Sequence, residues 1–93
     1  MLLVEYAGQY RRNAQKLLKE KVISQSLIDQ RIRLRRKNPE DTRLSNHALK
    51  RRLAGRWAFS INDDIRVIYE WRGKKLVRFL AIGTHDEVYK KKS

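Results

Sequence analysis

The sequence predicts an α+β fold, with one strand and two helices ahead of three strands, and three observations carry that expectation. Apolar residues recur at helical spacing between positions 9 and 37, and they alternate with period two between 57 and 72. A chain of 93 residues has room for one core of this size. The expectation is therefore a single domain over residues 1–93, order β-α-α-β-β-β, with an antiparallel-rich twisted sheet and both N-terminal helices on one face.

Leu2 to Ala7 is apolar apart from Glu5, which suits a first strand, and Gly8 marks its end. Tyr10, Ala14, Leu17 and Leu18 then recur every three or four residues among Arg11, Arg12, Lys16 and Lys19, the pattern of an amphipathic helix over 9–20. Ser24 is a good N-cap for a second helix, which runs through Leu27, Ile28, Ile32 and Leu34 to about Lys37, with Pro39 as its stop. Residues 38–56, rich in Asn, Asp, Ser, Thr and Arg, read as irregular.

From Trp57 the period changes. Trp57, Phe59 and Ile61 alternate with smaller or polar residues; after Asn62-Asp63-Asp64, so do Ile65, Val67, Tyr69 and Trp71. A three-residue turn keeps the faces in phase, placing Ile61 opposite Ile65 and Ser60 opposite Arg66, whereas a two-residue turn mixes them. Trp57 and Trp71 fall on the apolar face and are expected in the core. Gly73-Lys74-Lys75 forms the next turn, and the mostly apolar run Leu76–Gly83 suits a strand with neighbours on both sides.

Charge narrows the function classes. A formal net charge of +13 calls for a polyanion or an acidic protein partner. The excess is concentrated between Arg31 and Arg56, where only Glu40 and Asp41 oppose the basic residues, and in the tail Lys90-Lys91-Lys92. Within that stretch Lys50, Arg51, Arg52 and Arg56 are the expected RNA-binding positions. No segment is apolar for long enough to cross a membrane, and Met1–Tyr6 is too short an apolar run for a signal peptide. The chain has no cysteine, which excludes disulfides and thiolate metal sites and fits a reducing compartment. No glycine-rich phosphate loop, nucleophile elbow or zinc pattern is present, so no cofactor is expected.

A few side chains carry candidate chemistry. Arg66 sits mid-strand on the less apolar face, where a guanidinium points to solvent, pairs with Glu70 or holds a phosphate. His85 follows the last strand in Gly83-Thr84-His85, and His47 precedes the hairpin in Asn46-His47-Ala48. Histidine exchanges protons near neutral pH, so each reads either as an acid/base group or as a surface residue. Tyr89, four residues after His85, either stacks on a base or caps the core. Asp63-Asp64 and Asp86-Glu87 are acidic pairs in turns, a setting that caps backbone more often than it binds a divalent metal.

Asn46-His47-Ala48-Leu49, Leu53-Ala54-Gly55-Arg56-Trp57, Asp64-Ile65-Arg66-Val67-Ile68-Tyr69 and Ile82-Gly83-Thr84-His85-Asp86-Glu87-Val88-Tyr89 together resemble the RelE/ParE toxin superfamily, in particular its YafQ-like branch. The resemblance covers essentially the whole chain, and its most specific element is the glycine-threonine-histidine ending. It implies a RelE-like domain: a cytoplasmic toxin of a type II toxin–antitoxin system that is held by a cognate antitoxin and cuts mRNA on the ribosome without metal. It further implies His47 and His85 as the acid/base pair, Asp64 as a supporting carboxylate, Tyr89 as the aromatic that is usually phenylalanine, and Arg66 as the phosphate-holding arginine. One position departs from the pattern: Ser60 stands where the branch carries a further histidine on the second strand. Two alternatives share these features, a ParE-like toxin that inhibits DNA gyrase and a non-catalytic RNA-binding module.

Overall fold

The alternating segment forms the hairpin in the expected register. In the computed structural model, which describes residues 2–38 and 40–90 but not the side chains of Tyr89 and Lys90, Ser60 faces Arg66 and Phe59 faces Val67. The Ile61 amide bonds the Ile65 carbonyl at 2.8 Å across the three-residue turn. Asn62 shapes that turn: its side-chain oxygen accepts from the amides of Asp64 (2.9 Å) and Ile65 (2.7 Å).

The chain runs β1 (Leu3–Tyr6), α1 (Gly8–Lys19), α2 (Gln25–Lys37), β2 (His47–Ala48), β3 (Trp57–Ser60), β4 (Ile65–Gly73), β5 (Leu76–Thr84) and α3 (His85–Lys90), with 3-10 turns at Thr42–Leu44 and Arg51–Leu53. The sheet order is β1-β5-β4-β3-β2. Strand β1 is parallel to β5, and the other pairings are antiparallel. As expected, β5 has a neighbour on each side.

Local chemistry explains the helix ends. α1 closes with Lys21 in the left-handed region (φ 58°); the Lys21 amide bonds Leu18 O, and the Val22 amide reaches back to Leu17 O at 3.0 Å, the paired bonds of a Schellman stop. At the start of α2, the Ser24 hydroxyl accepts from the Leu27 amide at 3.1 Å, the cap anticipated for it. The expected stop at Pro39 lies outside the described residues.

One face of the sheet packs against α1 and α2. Tyr10 and Leu17 of α1 and Ile28 of α2 meet Phe59, Val67, Tyr69, Val77, Phe79 and Ile82 in a single buried cluster. Val77, Phe79 and Ile82 share that face because of a bulge: Ile68 pairs with Ala81 and Tyr69 with Phe79, so Leu80 is the extra residue and the inward parity switches there. That switch places the apolar residues of 79–82 without the alternation a regular strand would show.

Three expectations need correction. Trp71 is 44% exposed, although the Arg35 guanidinium of α2 lies over its ring at 5.7 Å, and Trp57 packs against the core only partly buried, because sharing the inward face does not ensure full cover by the helices. The stretch 38–56 is not wholly irregular: it contains β2, whose two residues are too few to show a period. After β5 the chain forms α3, which packs back on β4 and β5. Among the described residues no helix is long and apolar enough to cross a membrane.

Candidate catalytic site

Cross-strand partners point to the same side of a sheet, so the ladders show what each face presents. On the face away from α1 and α2, His47 is level with Ala58, Ile68 and Ala81, and the next rung holds Ser60, Arg66 and Gly83. His47 and Arg66 thus stand on one face, in strands separated by β3.

Arg66 is half-buried and aimed by backbone. Its Nη1 donates to the carbonyl of Asn62 at 2.8 Å, with a longer bond to that of Ile65 at 3.4 Å. Glu70, an expected alternative partner, pairs instead with Arg72 at 3.2 Å. Among the described residues no carboxylate bridges Arg66, so neutral carbonyls orient its guanidinium and leave its charge available to an anion.

His85 is fixed at the end of β5. Its amide donates to the Asp64 carbonyl at 3.0 Å, which ties the candidate carboxylate and the candidate histidine together through backbone. Thr84 and Glu87 form a reciprocal capping box: the Thr84 amide donates to Glu87 Oε1 (2.9 Å) and the Glu87 amide to Thr84 Oγ1 (3.1 Å). This places His85 at the first position of α3, with Nδ1 3.8 Å from Asp86 Oδ1, where an ion pair forms whenever the ring is protonated. Gly83 allows α3 to lie so close, since a Cβ there would stand 3.0 Å from Glu87 Oε1 and 3.4 Å from Val88 Cγ1.

His47 is exposed, and its Nδ1 lies 2.7 Å from the carbonyl oxygen of Ser45. A carbonyl can only accept, so Nδ1 carries the proton and the lone pair of the neutral ring sits on Nε2. Ser45 presents that carbonyl from a left-handed conformation (φ 47°), unusual for a residue with a side chain.

The structure therefore gathers Asp64, Arg66 and His85 at one end of β4 and sets His47 on the same face toward the sheet edge. Three strand spacings of about 4.8 Å separate β2 from β5, and His85 lies four residues, at about 3.3 Å each, past the Ala81 rung that His47 shares, so the two backbones are about 19 Å apart. Lys50, Arg51, Arg52 and Arg56 are exposed in the β2–β3 connection, which the Leu49 amide closes by bonding Arg56 O at 2.8 Å. That basic tip lies at the opposite end of β3 from the Asp64 turn. Tyr89 belongs to α3 by its backbone, and its side chain lies outside the described residues.

Sequence reasoning missed the Asx turn at Asn62 and the capping box at Thr84–Glu87. The second was findable, because threonine followed three residues later by glutamate is a helix-start signature. Among the described residues no three histidine, aspartate or glutamate side chains gather as a metal site would require.

A family model described as "Bacterial toxin of type II toxin-antitoxin system, YafQ" matches residues 2–90. No curated relative matches the sequence. Among solved structures, YafQ from E. coli strain BL21(DE3) is 23% identical, with 96% of this chain and 99% of that one covered at a TM-score of 0.78. The E. coli DinJ–YafQ toxin–antitoxin complex contains a chain 24% identical, with 95% and 97% covered at a TM-score of 0.77. A YoeB/ParE toxin from Agrobacterium tumefaciens is 16% identical, with 90% and 99% covered at a TM-score of 0.74. At these identities the likeness is one of fold.

Proposed function

Because the chain belongs to the YafQ family of bacterial toxins from type II toxin–antitoxin systems, we propose that it is an endoribonuclease that cuts mRNA on the ribosome. The observation that carries this reading is the arrangement of the open sheet face, where Arg66 stands between His47 on one side and His85 on the other. In phosphodiester cleavage by the RNA 2′-hydroxyl, attack and departure occur on opposite sides of phosphorus. A base and an acid flanking a phosphate-holding cation are therefore the required set.

The lone pair on His47 Nε2 takes the proton of the 2′-hydroxyl, whose oxygen attacks phosphorus. His85, protonated, gives its proton to the departing 5′-oxygen, leaving a 2′,3′-cyclic phosphate on one fragment and a 5′-hydroxyl on the other. Arg66 binds the phosphate as negative charge builds on its oxygens, Asp64 supports the His85 end, and Tyr89 stacks on a base. Ser60, in place of a further histidine, leaves Arg66 as the cation on that rung. Acid and base are each worth roughly 10² to 10⁴ in rate. The spread of Lys50, Arg51, Arg52 and Arg56 beyond His47 favours a polynucleotide over a single nucleotide.

The cytoplasm is the compartment where such a substrate is met. A cognate antitoxin with an acidic or amphipathic segment is the partner that the +13 chain calls for, in line with the E. coli DinJ–YafQ complex. Copurification with the neighbouring operon product tests this, and its failure argues against the partner.

Wild type and His85→Ala, induced in bacteria, test the activity by primer extension on a translated reporter mRNA and on the same message made untranslatable. The expected result is cuts in the translated message only, lost in a folded His85→Ala. Toxicity without cuts, accompanied by loss of gyrase supercoiling in vitro, moves the reading to a gyrase inhibitor. Toxicity without cuts or gyrase inhibition that survives joint loss of His47 and His85 indicates RNA binding alone.

A further inference from the structure

Beneath the open face, a buried hydrogen-bond chain ends one residue from His47. Arg35 of α2 is 1% exposed, and its guanidinium carbon stacks 4.8 Å from the Tyr69 ring and 5.7 Å from that of Trp71. Its Nη2 donates to the Tyr69 hydroxyl at 2.8 Å, and that hydroxyl donates to Asn46 Oδ1 at 2.6 Å. The direction follows from the donors: a guanidinium can only donate, so the single hydroxyl proton of Tyr69 goes to the amide oxygen of Asn46. Burial pushes the Tyr69 pKa upward, so the hydroxyl keeps that proton.

The alternation of a strand turns this chain into a support. Trp57 pairs with Tyr69 and with Ala48, while His47 pairs with Ala58, so Tyr69 faces the helices and His47 the open side. Asn46 reaches down to Tyr69, and the next residue turns up. Among the described residues no carboxylate bridges Arg35. Sequestering a guanidinium with aromatic faces and a phenol as its partners is costly for stability alone.

We infer that Asn46, held by Tyr69 and Arg35, is a positioning residue for His47: the chain fixes the Ser45–His47 segment so that Nδ1 stays on the Ser45 carbonyl and Nε2 faces the substrate. This deepens the proposed nuclease reading and rests on it for the role of His47.

The test uses Tyr69→Phe, which removes one hydroxyl and keeps the ring, together with Asn46→Ala and the acceptor-retaining Asn46→Asp. The first measurement is the imidazole tautomer by long-range ¹H–¹⁵N NMR. Wild type and Asn46→Asp are expected to hold the proton on Nδ1, while Tyr69→Phe and Asn46→Ala shift His47 toward the mixture seen for free imidazole. In multiple-turnover cleavage on purified, mRNA-programmed ribosomes, the two disrupting variants should lose kcat by roughly tenfold, a fraction of what a general base contributes. KM should hold within about twofold, because the phosphate grip at Arg66 is untouched. An unchanged tautomer in a folded Tyr69→Phe overturns the inference. If wild type cuts nothing while the tautomer still shifts, the support stands and the nuclease reading fails; if wild type cuts and the variants match it in kcat, the reverse holds.

Discussion

The two faces of the sheet are made by alternate residues of the same strands, yet they do opposite work. Toward α1 and α2, Phe79 meets Tyr10, Phe59 and Tyr69, and Phe59 meets Tyr69, with ring centroids 5.5 to 6.3 Å apart. Toward the other side stand the polar His47, Ser60 and Arg66, with Gly83, around an apolar rung of Ala58, Ile68 and Ala81. The packed face makes the strands rigid, and rigid strands hold separated polar groups in fixed relation on the other face. Substitutions on the packed face should therefore damage stability first, and those on the open face activity first.

The comparison breaks or sharpens through graded substitutions. Phe79→Ala, at a fully buried position touching four other rings' worth of core, should cost about 3–5 kcal/mol in denaturant unfolding. A loss below about 1 kcal/mol would show that the face is not the rigid one. Arg66→Ala should lower cleavage by roughly 10²–10³-fold, the scale of losing one preorganised charge contact, with the unfolding midpoint nearly unchanged. Comparable losses of stability and activity would erase the distinction between the faces.

Gly83→Ala probes the boundary, because its Cβ would meet Glu87 Oε1 at 3.0 Å and displace the capping box that seats His85. About 1–2 kcal/mol of overpacking cost is expected, with a measurable fall in cleavage; normal activity would separate α3 from the site.

The smallest effect lies away from both faces. Arg43 bonds the Asp41 carboxylate through its side chain and backbone and holds its pKa at about 2, below its ordinary 3.8. The folded value is the lower one, so the stabilising contribution is present above about 3.8 and is lost as pH falls through about 2. Asp41→Asn should lower the melting temperature only slightly at pH 7, because the pair is solvent-screened, and the gap between the two proteins should close near pH 2. A gap that widens in acid contradicts this account.

Some of the site was legible before the structure. The Ser60–Arg66 rung followed from face parity and turn length, and His85 stood out because glycine and threonine precede it at a strand end. The Arg35–Tyr69–Asn46 chain was not legible, since its members are 34 and 23 residues apart and no periodicity links an arginine within a basic helix to an asparagine in a loop. Trp71 misled for a related reason: alternation assigns a face, but not how fully that face is covered, and Trp71 stays 44% exposed.

By itself the sequence determined the local order of elements, the hairpin register and the charge of the surface, because each follows from neighbours within a few positions. Only the tertiary structure decided which strands lie side by side, how the bulge at Leu80 turns Ile82 inward, and that Arg66 stands between two histidines far apart along the chain. Those outcomes depend on which apolar surfaces bury one another, a property of the whole chain that no short window of sequence contains.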